Sequence, residues 1–121
     1  MNFHFLWDGG IIEEALDIEL GPHYEPDLQA TSAEATKLNQ RIRNSDVAAW
    51  APEGLTSHLD VVTVEWANET HILAQTAYRE LPTPRRRGWD EAYRDQAWPV
   101  VETQLTRAGV RLAEILNEAL H

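Results

Sequence analysis

The sequence predicts an all-α fold, and two stretches carry most of that reading. Residues 57–80 contain neither Gly nor Pro and set Leu59, Val62, Trp66, Leu73 and Ala77 near one face at helical spacing. Residues 99–119 repeat the pattern with Leu105, Ala108, Leu112, Ile115 and Ala119, leaving Arg107, Arg111, Glu114 and Glu118 mainly for the outer face. Proline- and glycine-bearing connectors separate these stretches from the rest, and 121 residues make one domain or less.

Residues 1–12 form an apolar run in which Phe3, Leu6 and Trp7 can bury the helix that carries them. Ile11 to Leu20 sets Ile11, Ile12, Ala15, Leu16 and Ile18 against Glu13, Glu14, Asp17 and Glu19, a short amphipathic helix stopped by Gly21-Pro22. Residues 22–31 read as a connector, with Asp27 or Ser32 capping a surface helix that runs to about Arg43 and is ended by Asn44-Ser45. Trp50-Ala51-Pro52-Glu53-Gly54 belongs to a second loop, after which Thr56 or Ser57 caps the 57–80 helix. The β-branched residues from Val61 to Val64 favour a strand locally, but the helical period continues on both sides of them. Residues 81–88 are a loop, residues 89–97 a short helix or turn, and Pro99 suits the first position of a new helix.

Within the first segment His4 and Asp8 stand four apart, which on a helix places both side chains on one face. A neutral imidazole and a carboxylate so placed can share one zinc; the same spacing also suits an ion pair near a helix end. Two ligands alone do not make a zinc site.

The run Asn2-Phe3-His4-Phe5-Leu6-Trp7-Asp8 followed by Ile11-Ile12 resembles the Asn-Leu-His-x-x-Trp-Asp-x-x-Ile-Ile segment of the zinc-dependent single-strand nucleases, known in fungi as S-one and P-one. Trp66-Ala67-Asn68-Glu69-Thr70 is similar to that family's Trp-Ala-x-Glu-Ser helix. The run from Ala108 to Asn117 is similar to its terminal Ala-Gly-x-Arg-Leu-Ala-x-x-Leu-Asn helix. The three segments occur in the family's order. The resemblance covers almost all of this chain but only the C-terminal part of the family's domain, so residues 1–121 are expected to be a partial helical domain of the phospholipase C/nuclease type.

The resemblance implies that His4 and Asp8 ligate one zinc of a three-zinc cluster, placed against the scissile phosphate and the departing 3′ oxygen. It implies a phosphodiester hydrolase, or 3′-nucleotidase, acting on single-stranded DNA or RNA. The family's remaining ligands, an N-terminal Trp and further His and Asp residues, lie upstream of the matched segment. The alternative is a catalytically inactive helical module, or a subunit whose partner supplies the missing ligands. Either way, helix faces that meet upstream helices in the family are expected to seek cover, most simply in a homodimer.

Composition narrows the chemistry further. A net charge of −10, from 20 acidic and 10 basic residues, repels nucleic acid unless bound metal reverses the field locally. With no cysteine, thiolate zinc sites, catalytic thiols and disulfides are excluded, leaving His and carboxylate as metal ligands. Family members are usually exported, whereas Met1 is followed directly by the metal segment with no basic n-region, so the compartment stays open. No apolar run approaches a membrane span.

The other candidates have structural readings. His23, His58, His71 and His121 match no ligand position of the family segments. Arg85-Arg86-Arg87 beside Trp89 is the kind of grouping that grips phosphate and stacks a base, but Asp90, Glu91 and Asp95 balance it as a solvated loop. Glu69 and Arg111 belong to the family-like segments, but on helices where a buried or bridged ion pair would equally explain them, and the five Trp residues are expected in the core or at its rim.

Overall fold

The computed structural model describes residues 3–18, 27–81 and 91–121, and among these the chain is all-α. A continuous helical run comprises α1 (Phe3–Phe5), a π-helical turn (Leu6–Gly10) and α2 (Ile11–Leu16). It is followed by α3 (Leu28–Arg41), α4 (Asn44–Trp50), a 3₁₀ turn (Leu55–His58), α5 (Leu59–Arg79) and α6 (Glu91–Leu120). The spine is α6, against which α2, α3, α4 and the 3₁₀ turn all pack. No described helix is long and apolar enough to cross a membrane.

Local signals explain most boundaries. The Asp27 carboxylate accepts the Ala30 amide at 2.9 Å and starts α3, as its capping chemistry predicts. Residues 44–50, expected as the start of a loop, are instead the helix α4. Asp46, three residues in, accepts the Arg43 backbone amide at 3.0 Å and also holds the Arg43 guanidinium, so a short polar stretch acquires a satisfied first turn. The amphipathic helix expected to reach Leu20 ends at Leu16, where Asp17 takes a left-handed conformation (φ 53°) and closes it. Gly21-Pro22, the expected stop, and the 82–90 stretch lie outside the described residues.

Pro99 does not begin a helix; it lies inside α6, which runs through it. Proline removes one backbone donor and crowds the preceding turn, a cost of about 3 kcal/mol in a helix interior. Buried Tyr93 and Ala97 before it and Val101 after it hold both halves of α6 against the same core, which also contains Leu6 and Ile11. Burying each of these two aliphatic side chains contributes about 1.5–3 kcal/mol.

The phase of α6 also differs from the expectation. Arg107 and Arg111, assigned to the outer face, turn inward, and the Arg111 side chain is only 12% exposed. Leu105, Leu112 and Leu116, on or beside the face expected to be buried, are exposed, Leu112 to 58%. The reason is Glu69 on α5, whose carboxylate accepts from Arg107 at 2.7 Å and from Arg111 at 2.9 Å. Arg111 lies 4.6 Å over the Trp66 ring and donates to the Trp50 carbonyl, while Arg107 lies over Trp50. A structural ion pair thus accounts for Glu69 and Arg111, which bond to each other, with Arg107 as a second partner.

At the far end of α6 the Glu118 carboxylate accepts the backbone amides of Gly54, Leu55 and Thr56 and the Thr56 hydroxyl. It satisfies the free donors of the 3₁₀ turn that leads into α5, a turn permitted by Gly54 at φ 78°.

Two outcomes follow. Arg111→Ala is expected to lower unfolding stability by about 1–3 kcal/mol in urea, because it leaves a part-buried carboxylate short of one partner. The solvent-facing Arg43→Ala should leave the urea midpoint almost unchanged. The Thr56 hydroxyl and the three amides hold the Glu118 carboxyl below its usual 4.5. A depressed carboxylate stabilises the fold fully above the unfolded value and ceases to do so as pH falls through the folded one. The melting-temperature gap between the native chain and Glu118→Gln should therefore be widest above about pH 4.5 and narrow below it.

Candidate metal centre

The helical run from Phe3 to Leu16 presents three faces. Its inner face carries Leu6, Gly9, Gly10 and Ile11, all buried. The Ile11 amide reaches back five residues to the Leu6 carbonyl, which widens the helix into a π turn across Leu6–Gly10. Two glycines there weaken the α preference of the segment and add no side chain between Leu6 and Ile11 on its inner surface.

His4 and Asp8 occupy the outer face. Their Nε2 and Oδ2 atoms are 2.9 Å apart, with the side chains 86% and 62% exposed. The sequence spacing therefore does bring the two together, as a solvent-facing side-chain contact. Imidazole nitrogen and carboxylate oxygen are suitable zinc donors, and the pair fits that chemistry as half of a four-coordinate set. Among the described residues no group of three His, Cys, Asp or Glu side chains is placed to hold a metal.

The third face carries Phe3, Trp7 and Ile12, which lie beside the core. The Phe3 ring packs on Tyr78 with centroids 4.2 Å apart and leans toward Trp7. The Trp7 indole N–H donates to the Tyr93 hydroxyl at 3.1 Å, and that hydroxyl donates in turn to the Ala77 carbonyl at 3.0 Å. Burial pushes the Tyr93 hydroxyl above its usual 10.0, although the Trp7 hydrogen bond pulls the other way, so it stays protonated at neutral pH. Beside this relay a groove of about 440 Å³ is lined by Phe3, Trp7, Asp8, Leu73, Ala77 and Leu105, and its surface is almost wholly apolar.

The remaining candidates lie elsewhere. His71 sits on the exposed side of α5 beside Gln75, and His58 precedes the first residue of α5. His23, Arg85-Arg86-Arg87 and Trp89 lie outside the described residues. Trp7 and Tyr93 are 86 positions apart, and neither a motif nor a spacing pointed to their link.

Among the described residues the chain is thus an all-α unit in which α5 and α6 are tied through Glu69 and Arg111 and His4 and Asp8 stand exposed together on the first helical run. The chain belongs to the S1/P1 nuclease family, which it matches over residues 1–121. Endonuclease 5 of Arabidopsis thaliana is 34% identical over 117 residues, a match covering 96% of this chain and 37% of that protein. The chain thus spans a little over a third of the length of this relative. No solved structure matches it.

The relay has a measurable consequence for the fold. Tyr93→Phe removes one hydroxyl that both donates and accepts, and is expected to lower stability by about 1–2 kcal/mol in urea denaturation. The cost should concentrate in faster amide exchange across residues 3–16.

Proposed function

We propose that this chain contributes part of the zinc centre of a phosphodiesterase acting on single-stranded nucleic acid, with His4 and Asp8 as two ligands of one metal. The observation that carries the reading is the His4–Asp8 pair, 2.9 Å apart on the solvent face of a helix whose other faces are anchored. Family membership supports the reaction class, and the name of Endonuclease 5 supports a cut within a strand. Bound zinc supplies positive charge that stabilises negative charge developing on phosphate and leaving oxygen. The protein's part is to keep both donors on one face of a single helix, where zinc would take an imidazole nitrogen and a carboxylate oxygen together. At a net charge of −10, the metal is also what would let phosphate approach this surface.

Calorimetry with zinc tests the ligand assignment on the 121-residue chain. His4→Ala and Asp8→Ala should each abolish the strongest zinc-binding event, and binding should weaken as pH falls and the imidazole is protonated. Unchanged affinity in both variants would overturn the assignment. With two ligands in place of the three or four of a catalytic site, the 121-residue chain should show essentially no zinc-dependent cleavage of single-stranded DNA. Cleavage that His4→Ala abolishes would show that the donor set is complete within it.

A second reading is favoured by the exposed leucines of α6. Leu105, Leu112 and Leu116 form an apolar stripe continuous with the groove beside Asp8. The 121-residue chain is expected to self-associate through this stripe, as a two-fold dimer in which the patch meets itself. Sedimentation equilibrium should show a mass that rises with concentration, and Leu112→Glu should return it to the monomer.

A further inference from the structure

We propose that Glu118 is an acid-released latch: ionised, it clamps the turn at residues 54–56 onto the end of α6, and once protonated it lets that turn swing away and uncover Leu55 while the core stays closed. Four donors from one short stretch, 62–64 positions away in sequence, converge on its carboxylate. Oε1 accepts the Gly54 and Leu55 amides at 2.9 and 3.0 Å, and Oε2 accepts the Thr56 amide at 2.8 Å and the Thr56 hydroxyl at 2.6 Å. Every one of these partners is an uncharged donor. On the elements that pack here, the titratable and charged side chains are Glu53, His58 and Asp60 at the turn and the start of α5, and Arg111, Glu114 and His121 on α6 itself. Among the described residues no charged group bonds to the Glu118 carboxylate, and Arg111 is turned to Glu69. The latch therefore answers to the charge on Glu118 itself.

Protonation changes what the carboxyl offers. An ionised carboxylate presents two acceptor oxygens, whereas the neutral acid keeps one and turns the other into a donor, which would then face an N–H or a hydroxyl. Bonds to a charged acceptor are also about twice as strong as bonds to a neutral one. The same bonds hold the carboxyl below its usual 4.5, so the latch is shut at neutral pH and opens only as pH falls below that value. Two features make the opening local. The core around Leu6, Ile11, Tyr93, Ala97 and Val101 contains no residue of the turn and lies toward the other end of α6. Val101 is roughly 25 Å along the helix from Glu118, at 1.5 Å per residue. The turn also has its own hinge and its own internal bond. Gly54 sits at φ 78°, where glycine is unstrained, and its carbonyl accepts the Ser57 amide at 3.0 Å, so the stretch can move as a unit. Leu55, only 1% exposed in a turn that packs on α5 and α6, is what such a movement uncovers.

The experiment follows amide hydrogen exchange by NMR in the 121-residue chain from neutral pH to about pH 3.5, expressed as protection factors so that the intrinsic pH dependence of exchange cancels. The expected result is that protection of the Gly54, Leu55 and Thr56 amides falls about 10-fold as pH drops below 4.5, while Ala97 and Val101 in the core keep theirs. In Glu118→Gln a neutral amide replaces the carboxylate at every pH. The same three amides should then show the low value already at neutral pH, with no step. Should Glu118→Gln fail to fold, Thr56→Val supplies the test: it removes one of the four donors, so the step should move to higher pH, toward 4.5. Loss of protection at Ala97 and Val101 together with the turn would overturn the proposal, because it marks global unfolding and not release of a latch. A native chain with no step would overturn it too, as would a step retained in Glu118→Gln or one unmoved in Thr56→Val.

Discussion

One carboxylate held between two arginines sets the geometry of the whole helical pair. Glu69 on α5 meets Arg107 and Arg111 one turn apart on α6, and Trp50 from α4 and Trp66 from α5 cover the guanidiniums. Taking such charges out of water is costly, and the cost is visible in the Arg107 Nε, which is buried with no hydrogen-bond partner among the described residues. Burial alone pushes the Glu69 carboxyl up, but the two guanidiniums outweigh it and hold the group below its usual 4.5. Arginine can fill this role where lysine would not, because its planar, weakly hydrated head pairs with a carboxylate and stacks on an aromatic ring at once. The result is a joint that fixes which side of α6 faces α5.

That joint explains why the helices were legible in the sequence and their phase was not. Hydropathy assigns the interior to leucine and the exterior to arginine, and along α6 the assignment fails by one step around the helix. Apolar periodicity reports that a face exists; it does not report whether that face meets this chain or something else. Asp27 announced its helix because capping is a local interaction between residues three apart. The helix α4 was missed because its first turn is satisfied by Asp46 and Arg43, a pair that reads as ordinary surface charge. Pro99 was given its usual meaning, and packing on either side of it prevailed over that local preference.

The site shows the same division. His4 and Asp8 were legible because both lie on one helix, where spacing becomes geometry. The Trp7–Tyr93–Ala77 relay was not, since it joins three segments distant in sequence and uses residue types that pack in cores more often than they orient a site. The π turn was equally hidden, although two adjacent glycines in an apolar helix were a signal that its backbone departs from ideal α geometry.

The placement of the pair relative to the apolar groove has a further physical consequence. Asp8 lines the same groove as Leu73 and Leu105, so the carboxylate and the uncovered aliphatic surface share one boundary. A chain segment lying in that groove would bury Leu73 and Leu105 and, by the same contact, strip water from one side of Asp8. Burying a carboxylate in this way is unfavourable unless it is well paired, and a bound cation would lessen the cost more than the exposed His4 contact does. Under the proposed ligand assignment, apolar burial in the groove and a cation at Asp8 would each lower the cost of the other.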